Sequence, residues 1–538
     1  MSENRIHILY PLISLFFVIL FACSEKEPTV STPPALTLDS IVTITGEKAV
    51  FYGNLVLAEP GSEIIEKGFL VSEETNPVLN ATGVKTVKSS ADSAVAYVKK
   101  YNRYFVRMYC KTSDGIYYSE EKTFQAFIKG LYFNCLGGTG EDGANQICYA
   151  TDGGYIIVGS TSSTDGDVEH NFGNKDFWMV KIGDDGQIKW EETFGGNGDE
   201  TATDVCPSAD GGYYIAGFSN STDNRTQTNK GGNDYWIIKT DITGQLIWQK
   251  LLGGGMDDVA TSVAKTDDGG CIVAGYSSSA DGDASGNHGK NDFWIIRLNA
   301  SGELIWQRMI GGSLDDEAFA IKQTADGHFI IAGSSESANG DVTGTTEAKD
   351  FWVIKLDDSG EIIWRNSVGN SLDDIAYDIV QTDDGGYLAV GASFKSFNDK
   401  ENTGNSDFYV ARFSADGSTE WTKSYGSSAE DGAQRVIQNS SGNYIICGAA
   451  TEEGYDVEKI FGNRDMWMIE ISESGNLLQT KNFGGSNFEI ASGMLATENG
   501  YILAGTTYSS DEHGVFNHRK GSADILVLSM DNNRSFGN

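Results

Sequence analysis

The sequence is poor in basic residues. It contains 39 Lys and Arg against 76 Asp and Glu, which gives a formal net charge of −37 at pH 7. This balance argues against a nucleic-acid partner, because no surplus of cations is available to neutralise phosphates. It argues against docking on anionic lipid for the same reason. Cations such as Ca²⁺ and neutral ligands such as sugars are better matched to this charge.

Several chemical signatures are also absent. The seven cysteines include no C-x-x-C pair, which argues against zinc ribbons and thioredoxin-type chemistry. Outside Cys23 they mostly lie in apolar runs, and we predict buried, unpaired thiols. The motifs G-x-S-x-G and H-E-x-x-H and the P-loop are missing. With 65 Gly and only 7 Pro, the chain instead suits many tight turns between strands.

The N-terminal segment is predicted to contain a targeting signal and a site of lipid attachment. An apolar stretch over 8–22 ends at Cys23, and its 15 residues are too few to span a bilayer. We therefore predict a signal peptide over 1–22. The run L-F-A-C at 20–23 resembles a bacterial lipobox, which implies that Cys23 is lipidated. The alternative is an ordinary signal peptide with a chance cysteine.

Residues 23–35 are predicted to be a flexible linker behind the lipidated Cys23. The charged run S-E-K-E at 24–27 resembles the surface-export signal of Bacteroidetes lipoproteins. The run V-S-T-P-P at 30–34 is expected to form a semi-stiff spacer. Together these features predict a protein at the cell surface, held in the outer membrane only through its lipid.

A small β-domain is predicted over 36–127. Its short alternating runs at 49–53, 67–71 and 104–109 suit a β-sandwich. These runs resemble the fibronectin-III-like modules of Bacteroidetes surface proteins. The resemblance implies an Ig-like sandwich that acts as a spacer, with Tyr104 as a corner tyrosine whose hydroxyl bonds to the backbone.

The rest of the chain, 130–530, consists of repeats of one unit. An apolar residue and a Gly, here named the anchor Gly, recur at intervals of 58 residues with one of 57. The anchors are Gly137, Gly195, Gly253, Gly311, Gly369, Gly426 and Gly484. Each unit has four apolar runs separated by turn residues, and helical periodicity is missing. The sequence therefore predicts an all-β fold with a seven-bladed β-propeller.

The two chain ends are predicted to close the ring. The seventh unit stops after its third run at 525–528, and an orphan run at 130–137 precedes the first unit. Pairing these runs would cover edges that otherwise stay open. The ten Trp lie at two positions of the repeat, on the third and fourth strands, and are predicted to fill the space between blades.

Alternating strands sort the loops onto two faces. The connections between blades and the loops between second and third strands share one face, here named the long-loop face. The opposite, tight-turn face is expected to offer only short hairpins. The fourth and fifth residues after each anchor Gly are acidic in thirteen of fourteen places, Phe488 being the exception. These acids are Glu141, Asp142, Asp199, Glu200, Asp257, Asp258, Asp315, Asp316, Asp373, Asp374, Glu430, Asp431 and Glu489.

A second set of acids lies in the loops between second and third strands. It comprises Asp165, Asp167, Asp281, Asp283 and Asp341, which are candidate calcium ligands. Clustered carboxylates suit Ca²⁺, which takes about six to eight oxygens. The alternative is that the acids on this face cap backbone N–H groups where each blade begins. Repetition in every blade favours the alternative, because a structural role recurs with the repeat.

Function is better sought where the repeat breaks. The second-to-third loops of blades 2, 3 and 4 contain no aromatic residue, whereas those of blades 5, 6, 7 and 1 do. These aromatics, here named the aromatic sector, are Phe394, Phe397, Tyr455, Phe461, Tyr508, Phe516 and Phe172. The four blades are neighbours in a closed ring, so we predict that these rings bind a ligand together. The alternative is that single rings fold back onto their own blade.

The whole segment 130–530 resembles the propeller repeats of Bacteroidetes extracellular proteins, on motifs such as D-G-G-Y at 152–155 and D-F-W at 176–178. The resemblance implies a fold but no activity. We expect a monomeric, non-catalytic binding lipoprotein that holds polysaccharide or a surface protein on the long-loop face. The alternative is an extracellular glycoside hydrolase or lyase that uses a carboxylate pair on the same face.

Overall fold

The structure of the chain is a computed structural model. It describes residues 34–45, 48–56, 63–89, 93–97, 103–125, 132–223, 227–342, 348–370, 372–394, 405–497, 500–510 and 520–531. The named elements within these ranges are all β-strands. In the same ranges no helix has the length and apolar character needed to cross a membrane. The predicted signal peptide 1–22, Cys23 and nearly all of the linker 23–35 lie outside the described residues.

The chain divides into two compact units: the first lies within the residues up to 125, and the second consists mainly of the residues from 126 onward. The strands of the first unit are β1 (Ala35–Thr45), β2 (Lys48–Val56), β3 (Ile64–Ser72), β4 (Lys85–Lys88), β5 (Ser93–Tyr97), β6 (Arg103–Thr112), β7 (Ile116–Tyr118) and β8 (Lys122–Gln125). They form one sheet of order β1-β2-β5 and another of order β4-β3-β6-β7, with β8 also paired to β6. Phe51 of the first sheet packs against Phe69 of the second, with ring centroids 5.7 Å apart.

The first unit is therefore a two-sheet β-sandwich, as its alternating pattern predicts. Its core contains Val106 and Met108 from the inner face of β6, both fully buried. Tyr104 is also buried. The bond predicted for its hydroxyl as a corner tyrosine stays a prediction, and so does the kinship to fibronectin-III modules.

The second unit is built from four kinds of strand that recur along the chain. The first strands are β10 (Asp142–Tyr149), β14 (Glu200–Pro207), β18 (Asp258–Lys265), β22 (Asp316–Gln323), β26 (Asp374–Gln381), β30 (Gly432–Gln438) and β34 (Glu489–Thr497). The second strands are β11 (Tyr155–Thr161), β15 (Tyr213–Ser219), β19 (Cys271–Ser277), β23 (Phe329–Ser335), β27 (Tyr387–Phe394), β31 (Tyr444–Ala450) and β35 (Gly500–Thr507).

The outer two strands of each blade complete the set. The third strands are β12 (Asp176–Ile182), β16 (Asp234–Thr240), β20 (Asp292–Leu298), β24 (Asp350–Leu356), β28 (Ser406–Phe413), β32 (Asp465–Ile471) and β36 (Asp524–Asp531). The fourth strands are β13 (Ile188–Phe194), β17 (Leu246–Leu252), β21 (Leu304–Ile310), β25 (Ile362–Val368), β29 (Thr419–Tyr425), β33 (Leu477–Phe483) and β9 (Tyr132–Leu136).

These strands form seven antiparallel four-stranded sheets within the described residues. Six sheets use consecutive strands, and the seventh has the order β34-β35-β36-β9. The orphan run before the first repeat thus supplies the fourth strand of the last blade, with Leu526 opposite Cys135. Leu136, Val527 and Ile502 of this blade share a core with Ile147 and Trp178 of blade 1. The seven-bladed propeller and its closure by both chain ends are confirmed.

The aromatic rings of the repeat fill the space between blades, as predicted. The third-strand Trp residues are almost fully buried; they are Trp178, Trp236, Trp294, Trp352 and Trp467. Four of them pack on an aromatic ring of the preceding blade; the ring centroids of Phe177 and Trp236, for example, lie 4.5 Å apart. The fourth-strand Trp248 is partly buried, and its indole N–H donates to the Ala300 carbonyl of the next blade at 3.0 Å. Burial of large rings at each seam stabilises the ring of blades.

Candidate binding site

The fifth residue after each anchor Gly has a structural role. Asp258 is buried and accepts hydrogen bonds from the Gly254 N–H at 2.7 Å, from the Ser279 hydroxyl at 3.0 Å and from the Ser277 hydroxyl. The same pattern surrounds Asp142, Glu200, Asp316, Asp374, Asp431 and Glu489. These carboxylates fix the entry of the chain into each blade, so the capping interpretation is the better one for this position.

The candidate calcium ligands also bond to the backbone. Asp165 accepts from the Thr139 N–H at 2.7 Å, and Asp281 accepts from the Gly255 N–H at 2.6 Å. Asp167, Asp283 and Asp341 each accept from an anchor Gly N–H, at 3.0, 3.3 and 3.3 Å. Among the described residues, no group of three or more His, Cys, Asp or Glu could hold a metal ion. The calcium prediction therefore gains no support from these loops.

A third set of carboxylates begins the third strands. Asp234, Asp292 and Asp465 each accept a backbone N–H from four residues earlier in the chain, at 2.6–2.8 Å. Their other carboxylate oxygens, like that of Asp350, are buried without a hydrogen-bond partner in the described residues. Burial raises the pKa of each of these four groups to about 6. Burial also raises the pKa of Asp374, to about 7.

These raised pKa values do not mark an accessible acid–base pair. Asp234, Asp292, Asp374 and Asp465 are fully buried, so a substrate cannot reach their oxygens. They lie instead against the anchor glycines, where a Cβ on Gly253 would collide with Asp234 and Asp258. The absent side chain of the anchor Gly is what lets two carboxylates meet at one seam.

The described members of the aromatic sector are exposed. Their exposed fractions are 40% for Phe172, 39% for Phe394, 75% for Tyr455, 49% for Phe461 and 40% for Tyr508. None of these five side chains is fully buried, and whether they act together in binding stays a prediction. Phe397 and Phe516 lie outside the described residues.

Local structure explains how two of these rings are presented. The backbone N–H of Phe461 donates to Asp465 at 2.7 Å, and the N–H of Phe172 bonds to Asp176 in the same way. The loop is therefore fixed by its main chain while the ring stays outside. The Lys459 ammonium lies 4.5 Å from the centre of the Phe461 ring, a cation–π distance.

Tyr455, in the same loop, is held in an unusual backbone conformation. Its φ of 49° lies in the left-handed region, which a residue with a bulky side chain rarely adopts. The Val457 N–H donates to the Gly454 carbonyl at 2.9 Å, and the Gly454 N–H donates back to Val457 at 3.0 Å. This turn leaves the Tyr455 ring in solvent.

A pocket of about 300 Å³ lies at the seam of blades 6 and 7, here named the Arg464 pocket. It is lined by Arg464, Phe488, Glu489, Ile490 and Tyr508. Three neighbouring backbone segments place these side chains: the Glu489 N–H donates to the Arg464 carbonyl at 2.7 Å, and the Tyr508 N–H donates to the Phe488 carbonyl at 2.9 Å. The pocket therefore combines a guanidinium with two half-exposed rings.

Sequence reasoning identified only Tyr508 of this group as a ligand-binding residue. Phe488 was visible as the one non-acidic residue in the fourteen acidic positions, but that signal was not connected with the aromatic sector. Arg464 occupies the repeat position held by Lys175, Asn233, Asn291 and Lys349 elsewhere, and its significance depends on what stands beside it in space.

A larger cavity lies at the other end of the propeller. It has a volume of about 670 Å³ and is lined by first-strand residues of all seven blades, near their tight-turn ends. Its charged groups are partly satisfied: Asp204 accepts from the Ser262 hydroxyl at 2.7 Å and the Val263 N–H at 2.9 Å. Lys322 lies 3.9 Å from Asp378. The tight-turn face therefore offers more than the short hairpins expected of it.

A further aromatic group was also missed. The rings of Phe319 and Tyr377, on the first strands of blades 4 and 5, lie 5.3 Å apart, and Tyr276 lies 6.5 Å from Phe319. Glu317 beside them is paired with the Lys349 ammonium at 2.6 Å. This group is only partly exposed and its one carboxylate is neutralised.

The described cysteines do not add a reactive site. Cys110, Cys148, Cys206, Cys271 and Cys447 form no disulfide with another described residue. Burial raises the pKa of the Cys206 and Cys447 thiols to about 12. A thiol with a pKa this high is almost entirely protonated near neutral pH and is a poor nucleophile.

Comparisons with known proteins bear on the fold. No family model matches the chain. The regulatory protein FlaEY of Caulobacter vibrioides is 24% identical over 228 residues, which are 38% of this chain and 23% of FlaEY. The chain thus matches less than a quarter of the length of this curated relative.

Two solved structures illustrate the likeness. YCF48 bound to D1 peptide has 11% identity and a TM-score of 0.36, over 75% of this chain and 96% of that one. The GH93 α-L-arabinofuranosidase of Fusarium graminearum with arabinobiose has 11% identity and a TM-score of 0.34, over 61% and 92%. These likenesses concern the fold alone.

Proposed function

We propose that this chain is a non-catalytic binding protein that holds a glycan or a partner protein on the long-loop face of its propeller. The observation that carries the proposal is the Arg464 pocket together with the exposed rings of blades 6 and 7. A volume of about 300 Å³ is within the range of ligand pockets. Exposed aromatic rings beside a cation are the groups that sugar rings and protein anchors use.

The carboxyls with raised pKa values on the same face do not form an accessible pair. Glycoside hydrolysis by a carboxylate pair needs two carboxyl groups that face the scissile bond. The described carboxyls with pKa values raised to about 6 or 7 are buried, Asp465 and Asp374 fully so. Glu489, which lines the Arg464 pocket, accepts bonds from the Gly485 N–H and the Thr507 hydroxyl, both at 2.7 Å.

The cellular setting of this function is part of the same proposal. The lipobox-like run at 20–23 and the charged run at 24–27 motivate a monomeric lipoprotein of the outer membrane, held at the cell surface through Cys23. Labelling of intact cells with an antibody tests the location. A Cys23→Ser variant is expected to lose the lipid and to appear in the medium or the periplasm.

Affinity electrophoresis tests the binding function. The full chain, purified in detergent, is run through native gels cast with a panel of polysaccharides and then stained for carbohydrate. We expect retarded migration over intact polysaccharide. Tyr508→Ala, Phe461→Ala and Phe516→Ala should restore free migration, whereas Tyr149→Ala should not.

Tyr149 is a matched control because its ring is 48% exposed and it ends strand β10 at the tight-turn face. Cleared zones in the gel would favour the hydrolase or lyase alternative. Free migration over every polysaccharide would leave a protein partner as the ligand. Retardation that survives all three aromatic substitutions would contradict the aromatic sector.

A further inference from the structure

The Arg464 pocket contains a guanidinium that feels the charge of the buried Asp431 but is not held in an ion pair. Among the described residues, no carboxylate forms an ion pair with Arg464, and its Nε is buried without a hydrogen-bond acceptor. At the same repeat position, Lys175 pairs with Glu141 at 2.9 Å and Lys349 pairs with Glu317 at 2.6 Å. The Arg464 guanidinium thus borders the pocket without an ion pair, which leaves it able to bind an acidic ligand.

The acids around Arg464 are already occupied. Glu489 has one hydrogen bond on each oxygen, and Asp431 accepts from the Ser427 hydroxyl at 2.7 Å and the Thr451 N–H at 3.1 Å. Both carboxylates are buried. They cannot turn toward Arg464 without leaving buried donors unsatisfied.

The next blade offers Arg464 no acid at the position directly before its first strand. At the equivalent seams the residue in the place of Phe488 is an acid, as in Asp257, Asp315 and Glu430. Phe488 replaces that carboxylate by a half-exposed ring, and Tyr508 adds a second ring across the hydrogen bond from its N–H to the Phe488 carbonyl. The seam of blades 6 and 7 therefore presents two aromatic rings beside a guanidinium, one of them in the place of an acid.

We propose that the Arg464 pocket binds a uronic acid residue of an acidic polysaccharide, an inference that rests on the binding function proposed above. The guanidinium donates two parallel hydrogen bonds to the sugar carboxylate, because Arg presents paired N–H donors that match a carboxylate. Phe488 and Tyr508 contact the apolar face of the sugar ring. The pocket volume of about 300 Å³ accommodates one such ring with its carboxylate, so the pocket binds a single residue of the polymer.

The experiment compares charged and neutral forms of the same sugar polymers. Polygalacturonate, alginate and hyaluronan, each beside its carboxyl-reduced counterpart, are titrated against the full chain by calorimetry, with polyglutamate as a carboxylate polymer without sugar. We expect at least one uronate to bind about tenfold or more tightly than its reduced form. Arg464→Gln should remove that preference, and Arg464→Lys should keep part of it.

Lys175→Gln is the matched control, because it removes a cation at the same repeat position that is already paired with Glu141. It should leave the preference unchanged, and thermal unfolding shows whether Arg464→Gln stays folded. Equal binding of acidic and reduced polymers that still depends on Tyr508 would overturn the carboxylate proposal and leave the binding function standing.

Two other outcomes would also overturn it. Polyglutamate binding as tightly as the best uronate would overturn recognition of a sugar. No binding of any uronate would overturn the proposal, and free migration over every polysaccharide in the gels would then remove the glycan function as well.

Discussion

Two seams of the propeller share a backbone and differ in their side chains. At the seam of blades 2 and 3, the Asp258 N–H donates to the Asn233 carbonyl at 2.6 Å and the Ser278 N–H to the Asp257 carbonyl at 2.9 Å. At the seam of blades 6 and 7, the same two bonds join Glu489 to Arg464 at 2.7 Å and Tyr508 to Phe488 at 2.9 Å.

The buried groups of the two seams also correspond. Asp234 and Asp465 each have a pKa raised to about 6, chiefly by burial and further by the next blade's carboxylate, Asp258 or Glu489. What differs is the exposed layer, where Asp257 and Ser278 are replaced by Phe488 and Tyr508. The buried carboxylates with a structural role thus recur at both seams, whereas the exposed residues differ and can form a binding site at one seam alone.

The largest expected effect comes from removing a buried clamp at either seam. Asp258→Ala leaves the Gly254 N–H and the hydroxyls of Ser277 and Ser279 without their acceptor. We expect the free energy of unfolding to fall by about 3 kcal/mol or more. Denaturant unfolding measures it. Glu489→Ala should lower the free energy of unfolding by a similar amount. A decrease below 1 kcal/mol at either seam would show that the two buried carboxylates do not have equivalent roles.

The next effect concerns pH and follows from the carboxyls that the seams share. The pKa of Asp234 and of Asp465 is about 6 in the folded chain, above the value of about 4 in an unfolded chain. The folded state therefore binds protons that the unfolded state releases, and these groups stabilise the fold most at low pH. That stabilisation is lost as the pH rises from about 4 through 6.

Thermal unfolding at pH 5 and pH 7.5 checks this expectation. We expect the Tm to be higher at pH 5 by about 5 °C. Asp234→Asn and Asp465→Asn should each reduce the Tm difference between the two pH values, and the two reductions should be similar. Each Asn mimics the protonated carboxyl and does not ionise as the pH rises. A Tm that rises with pH over this range, in the parent chain, would contradict the raised pKa values.

A smaller change converts one seam into the other. Phe488→Asp restores the acid of the repeat beside Arg464 and removes one ring from the pocket. We expect ligand affinity to fall about tenfold or more, which is about 1.4 kcal/mol, because the new carboxylate competes for the guanidinium. The free energy of unfolding should change little at this half-exposed position. Electrophoresis in ligand gels and denaturant unfolding measure the two effects, and unchanged affinity would refute the role of this seam.

The smallest expected effect is on stability at the exposed tip of blade 6. The Tyr455 ring is 75% exposed, so Tyr455→Ala should change the free energy of unfolding by no more than about 0.5 kcal/mol. A substitution to Gly should be neutral or stabilising, because Gly adopts the left-handed φ of 49° at less cost. A loss of more than 1 kcal/mol for Tyr455→Ala would mean that the ring packs on the propeller.

Much of the architecture could be predicted from the sequence, because the same local pattern of glycines and apolar runs recurs in each unit. The spacing of the anchor glycines indicates seven units, and the orphan run at 130–137 pairs with 525–528 as predicted. The aromatic sector could be predicted as a break in that pattern, and five of its seven rings are exposed in the described residues. Their role in binding stays a prediction.

The candidate site itself could be predicted only in part. The acids beside each anchor Gly look alike in sequence, yet Asp258 is buried and bonded on both oxygens while Asp257 is not buried. The alternation of buried and exposed residues along a strand tells these two acids apart only if the first residue of the strand is already known. The raised pKa values of Asp234 and Asp465 likewise depend on a neighbour from the next repeat, which the sequence places 24 residues away.

The strands, their number and the ring that they form follow from the periodic burial of apolar residues, which is a local property of the sequence. Which charges are neutralised follows from contacts between segments that are distant in the sequence. Arg464, Phe488 and Tyr508 come from three chain segments that touch across one seam, and whether a cation is paired depends on contacts between such segments. An unpaired guanidinium beside two rings is a property of the folded seam, because Coulomb and stacking interactions act over distances of a few ångströms in space.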